Sequence, residues 1–225
     1  MFDDFQSFVS VEKYLGGIGY LLVPVCALVG AFAAAPHAPS PLLRSLVLIG
    51  LLMVAVAWLL LGVREKDALL MATGIAMILA PIIVVALAFA VVYPLLKPPS
   101  PLGAPFVSPE IFFGRLITVF LISAIAVIVV VALHIAAHFR AARKLQISMF
   151  KYAGAAHAAA LVLAIALTIV LFTTFLTRAQ EILEAMLIGA PPLALLGAVV
   201  IIATIAAVVQ IAAYVLSAVS FFKLS

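Results

Sequence analysis

The long apolar stretches of this chain lack charge. Six of them have the length to cross a bilayer, and almost no ionisable side chain falls in the middle of any. Pumps, coupled transporters and voltage sensors place Asp, Glu, Lys, Arg or His at membrane depth for functional reasons, so those classes find no support. Cysteine is nearly missing too. Cys26, alone and inside the first apolar run, excludes an internal disulfide, a CxxC redox pair and a cysteine zinc site. It reads as a small buried hydrophobe. Asparagine is absent altogether; loss of thermolabile amides is one mark of thermophily, and coding biased toward Ala, Val and Leu explains it equally well. The start, MFDDFQSFVSVEKYL, carries acids where a secretory signal carries bases, so it does not read as a cleavable signal. Glycine-rich phosphate loops, nucleophile elbows, HExxH and Ser/His/Asp arrangements are missing as well. No catalytic residue is expected, and the chain reads as a non-enzyme.

Hydrocarbon is what remains. Hydrophobic residues make up 68% of the 225 and charged residues 9%, with mean hydropathy +1.44. A hydrocarbon core of about 30 Å needs about 20 apolar residues per helix. Lipid-exposed backbone must satisfy its own hydrogen bonds, which makes the runs helices. A β-barrel would alternate polar and apolar residues, and these runs do not. The expected fold is all-α: one polytopic helical bundle over residues 1–225, with spans near 14–35, 41–63, 68–93, 110–139, 152–176 and 192–222. Contact with a lipid bilayer follows.

Orientation comes from the cations. Lys13, Arg64, Lys66, Arg140, Arg143, Lys144, Lys151 and Lys223 fall on one side, against Arg44, Lys97, Arg115 and Arg178 on the other. This bias places both termini in the cytoplasm of a multi-pass protein of the cytoplasmic membrane. The net charge of +4 is thereby topology; the cations form no basic face, and no nucleic-acid partner is expected.

Four connections are informative. Phe2, Phe5, Phe8 and Val9 fall near helical spacing, so residues 1–12 are expected to form a short interfacial helix. Arg64, Glu65, Lys66 and Asp67 make a tight charged turn between two antiparallel spans. Residues 94–109 (PLLKPPSPLGAPFVSP) are proline-rich and extended on the outer side, a stiff connector or a docking strip for another subunit. Residues 177–188 are expected to form a short outer amphipathic helix, opened by a Thr177 and Gln180 capping box and closed by Gly189, Pro191 and Pro192.

The residues best suited to chemistry are His134, His138 and His157. The first two share a helical face at i and i+4, and His157 lies at similar depth in the next span. Neutral imidazoles bind metals and ligate haem. However, no carboxylate neighbours them in sequence to act as the usual outer partner of a metal-bound histidine. They are expected to sit at the interface with their polar ends toward water, and neither a metal nor a cofactor is expected. Gln210, with Thr204 and Tyr214 on the same side of the last span, and Pro81, which should kink the third, are the candidates for a solute path. Pro24 and Pro81 interrupt two spans without a convincing internal repeat. Gly16, Gly17, Gly19 and Gly154, among small neighbours, are expected to let helices approach closely, on each other or on another protein. Protein partners or a homo-oligomer would use those faces.

The stretch EKYLGGIGYLL (Glu12 to Leu22), then LVLIGLLMVAVAWLLLGV (Leu46 to Val63), MFKYAG (Met149 to Gly154) and AVSFFKL (Ala218 to Leu224) resembles an archaeal integral-membrane family catalogued as domain of unknown function 996. The resemblance covers most of the chain. It implies an archaeal membrane protein, with no activity and no site residue to carry over. The proline-rich segment and the short charged turn depart from the pattern. The readings, in order, are an accessory or structural subunit of a membrane complex, a channel or facilitator for a small neutral solute, and a cofactor-holding subunit of a respiratory complex.

Overall fold

In the computed structural model, residues 3–33, 41–96, 109–187 and 197–224 are described. They form six helices: α1 (Asp3–Ala33), α2 (Pro41–Arg64), α3 (Ala68–Leu96), α4 (Pro109–Leu145), α5 (Ser148–Leu187) and α6 (Gly197–Phe222). Among the described residues there is no strand. All six helices contain a stretch long and apolar enough to cross a membrane, so the chain is a multi-pass membrane protein with an all-α bundle.

Each helix packs on its neighbours in sequence, and α1 closes on α6, so the bundle is a ring of six helices in chain order. The α1 start, the α2–α3 turn, the α4–α5 junction and the α6 end share one end of that ring, as their contacts require. The core lies toward the same end. Tyr20, Trp58, Leu61, Leu70, Phe150 and Phe221 are wholly buried there, while the remote halves of α3, α4 and α5 present exposed Ile82, Val85, Phe120, Ile125, Ile169 and Phe172. Lipid is as apolar as these side chains, so their exposure has no cost in a membrane.

The charged turn shows how local chemistry sets the helix order. Lys66 has φ 49, its amide bonds Val63 O at 3.2 Å, and the Asp67 amide bonds Gly62 O at 2.9 Å, a Schellman ending for α2. Asp67 then caps α3, accepting the amides of Leu69 and Leu70 at 3.1 and 3.4 Å. The same carboxylate accepts from Arg140 of α4 at 2.7 Å, with Lys144 at 3.8 Å. Arg64 pairs with Glu12 of α1 at 2.6 Å. One four-residue turn therefore fastens α1, α2, α3 and α4.

Several boundaries differ from the sequence reading. Residues 3–12 of the stretch read as a separate interfacial helix are continuous with α1; neither glycine nor proline interrupts FQSFVSVEK, so the helix propagates through it. Pro94 lies inside the last turns of α3, and α4 starts at Pro109; residues 97–108 of the proline-rich segment are outside the described residues. Residues 177–187 of the expected amphipathic helix continue α5 across a bend at Arg178 (φ −126, ψ 20), and residue 188 lies outside the described residues. The Thr177 hydroxyl there donates backward to Thr173 O at 2.8 Å. Gly189, Pro191 and Pro192 are outside the described residues.

Candidate functional site

The ring encloses a polar knot at the charged end and a cavity beyond it. His134 and His138 sit 11 and 7 residues before the end of α4 at Leu145, which puts them about 16 and 10 Å along the helix from that end. They face inward. His134 is 8% exposed, His138 0% and His157 4%, so the expectation of interfacial side chains turned toward water is not what the packing gives. The reason lies in the ring closure: α5 and α6 supply the facing wall, and Ser217 of α6 meets both His138 and His157.

The hydrogen bonds run through five helices. Trp58 of α2 donates its Nε1–H to the Tyr20 hydroxyl of α1 at 2.7 Å, and that hydroxyl lies 3.0 Å from His134 Nε2. His138 Nδ1 is 2.9 Å from the His134 carbonyl. A carbonyl only accepts, so Nδ1 carries the proton, and in the neutral ring Nε2 is left as the acceptor. Ser217 Oγ lies 2.9 Å from that Nε2 and 3.1 Å from His157 Nε2. His134 Nδ1 is fully buried with no hydrogen-bond partner. The three rings have centroids 4.5, 4.8 and 5.1 Å apart, and one ligating atom from each falls within 4.8 Å of the others. Among the described residues this is the group able to hold a metal ion.

Beyond the knot a cavity of about 290 Å³ is lined by all six helices. Tyr20, His134, His157, Gln210 and Tyr214 contribute its polar groups, and Leu51, Val54, Met77, Val131 and Leu161 are among its apolar walls. Gln210 and Tyr214 thus share a surface with two of the histidines.

The other sequence candidates are placed elsewhere. Thr204 is exposed and its hydroxyl donates to Val200 O at 2.8 Å. Pro81 is exposed on α3, which continues through it, beside a shallow hollow with Ile82, Val85 and Phe89. Neither lines the axial cavity. Gly16 and Gly17 lie under the rings of Phe221 and Phe222 of α6, Gly19 approaches the Gly50 backbone of α2, and Gly154 faces His138 of α4. The two glycine patches therefore pack on other helices and not on each other. Tyr20, Trp58 and Ser217 went unremarked in the sequence because each is a single small polar tip that matches no chemical motif in its apolar run. The one signal was that Trp58 is the only tryptophan.

No family of known proteins, no curated protein and no solved structure matches the chain.

Proposed function

We propose that this membrane protein is a non-enzymatic subunit that binds a small, mostly apolar molecule with one hydrogen-bonding group inside its ring of helices. The axial cavity supports this reading. Hydrocarbon walls from Leu51, Val54, Met77 and Leu161 end on the converging polar groups of His134, His157, Gln210 and Tyr214. At about 290 Å³ it lies at the small end of ligand sites, which run about 300–1,000 Å³ and combine apolar walls with a few polar groups that fix orientation. A purely structural subunit needs close-packed helices, and a cavity in the ring centre works against that. A facilitator would need the polar surface to continue past the Trp58, Phe150 and Phe221 cluster, whose members are wholly buried.

The test is isolation of the tagged chain from native membranes in mild detergent, followed by native mass spectrometry and an absorption spectrum. A non-covalent small molecule on wild type and its loss in Ala164→Phe, which fills the cavity wall, are the expected results. Wild type without any bound molecule but in fixed ratio with other chains would replace this reading by the accessory-scaffold one.

A further inference from the structure

We infer that His134, His138 and His157 form a three-nitrogen site for one late first-row transition metal ion, copper or zinc. This goes beyond ligand binding in the cavity and does not require the cavity to be filled.

Three imidazoles from two helices converge, each more than nine-tenths buried, with ligating atoms within 4.8 Å of one another. Bonds of about 2.0–2.1 Å in a tetrahedral site require nitrogens about 3.4 Å apart, so binding draws the ligating atoms together by up to about 1.4 Å, within reach of side-chain rotation. Nitrogen donors suit zinc and copper, whereas magnesium and calcium require oxygens.

The orphan nitrogen of His134 points the same way. The Tyr20 hydroxyl either donates to His134 Nε2 or accepts from it. If it donates, Nδ1 carries a buried proton with no acceptor; if it accepts, Nδ1 presents a bare lone pair with no donor. Either state leaves a buried polar atom unpaired, which folded proteins rarely tolerate without a reason. A metal on Nδ1 selects the second state, turns the unpaired atom into a ligand, and leaves the Nε2–H donating to Tyr20.

Metal-bound histidines donate their other N–H to a carbonyl, carboxylate or hydroxyl that fixes the ring. His138 has such a partner in the His134 carbonyl and His134 has one in Tyr20, itself held by Trp58. The sequence reading discounted the histidines for want of a carboxylate; a backbone carbonyl and a tyrosine fill that role here. His134 and His157 also line the cavity, so a fourth coordination position faces it.

The experiment uses the full chain in detergent, stripped with chelator and titrated separately with copper(II), zinc(II) and, as control, magnesium. Bound metal is counted by mass spectrometry of the eluted ion. Trp58, the only tryptophan, lies 4.9 Å from the His138 ring and reports on occupancy by copper quenching of its fluorescence. One equivalent of copper or zinc per chain is expected, with no magnesium bound. In His134→Gln and His157→Gln, which remove a ligand, affinity should fall by more than the roughly 10–100-fold that loss of an outer-shell partner costs, while the thermal midpoint shows the bundle intact. A wild-type chain that unfolds cooperatively but binds neither ion stoichiometrically overturns the site, as does binding unchanged in both variants. Ala164→Phe separates the two proposals, since it should leave metal binding within threefold while blocking the cavity.

Discussion

Asp67 acts as a helix cap and as an ion-pair partner at once, and one substitution separates the roles. The Arg140 guanidinium bonded to Asp67 holds its carboxyl below the ordinary carboxylate range, aided by the amides of Leu70 and Leu69 and opposed by burial. A carboxyl whose folded value is depressed contributes stability that is complete above its unfolded value, about 4. That contribution is lost as pH falls through the lower folded value. Asp67→Asn keeps a capping oxygen but removes the charge, leaving Arg140 without its ionic partner and Lys144 with Glu65 alone. Arg140 is half exposed, which limits the expected loss to about 1–2 kcal/mol. Thermal midpoints in detergent should differ between wild type and variant at pH 7 and converge as pH drops below 4. Equal midpoints at pH 7 would mean that the charge contributes nothing and only the cap matters.

Between elements, glycines set how closely α2 and α3 approach. A methyl group at Gly74 would lie 2.6 Å from both Ala55 O and Leu59 N, and one at Gly62 would meet the Met71 and Leu70 backbone. Backbone cannot rotate away as a side chain does, so Gly74→Ala and Gly62→Ala force the helices apart at about 1–3 kcal/mol each. Gly114 has nothing within 4 Å of the equivalent position, and Gly114→Ala should instead raise helix stability by up to about 1 kcal/mol. Midpoints of the three variants in one detergent check the order; equal effects at Gly74 and Gly114 would sink the close-packing account. Legibility followed the same division between local and long-range information. The helices and the 64–67 turn were readable because length, apolar content and a run of charges are local properties. Gly62 and Gly74 were not, since neither belongs to a cluster of glycines in its run and each gains meaning from the helix it faces. The histidines were half readable: i, i+4 spacing put His134 and His138 on one face, but whether that face turned to water or to Ser217 and Tyr20 depended on ring closure. Gln210 and Thr204 looked equivalent for a similar reason, and only the packing of α6 separated them.

At the scale of the molecule, an even number of crossings with α1 packed on α6 puts both ends of the bundle sequence on one side. Glu12, Arg64, Asp67 and Arg140 join in ion pairs on that side, and Arg143, Lys144 and Lys223 lie there as well. The opposite side carries Arg44 at the start of α2 and Arg178 near the end of α5. Cations near span ends are retained in the cytoplasm during insertion, so the ion-paired end should face inward and the cavity should lie toward the outer half. Single cysteines at exposed Arg143, Lys223, Arg44 and Arg178 test this in intact cells, in a Cys26→Ala background that removes the one native thiol. A membrane-impermeant maleimide should label Arg44→Cys and Arg178→Cys at once, and Arg143→Cys and Lys223→Cys only after lysis. The reverse pattern would invert the bundle and place the histidine knot near the outer surface, where any metal it holds would come from outside the cell. Labelling in the expected order makes the cytoplasm the nearer source of metal and leaves the outer half of the ring as the entrance for the apolar ligand.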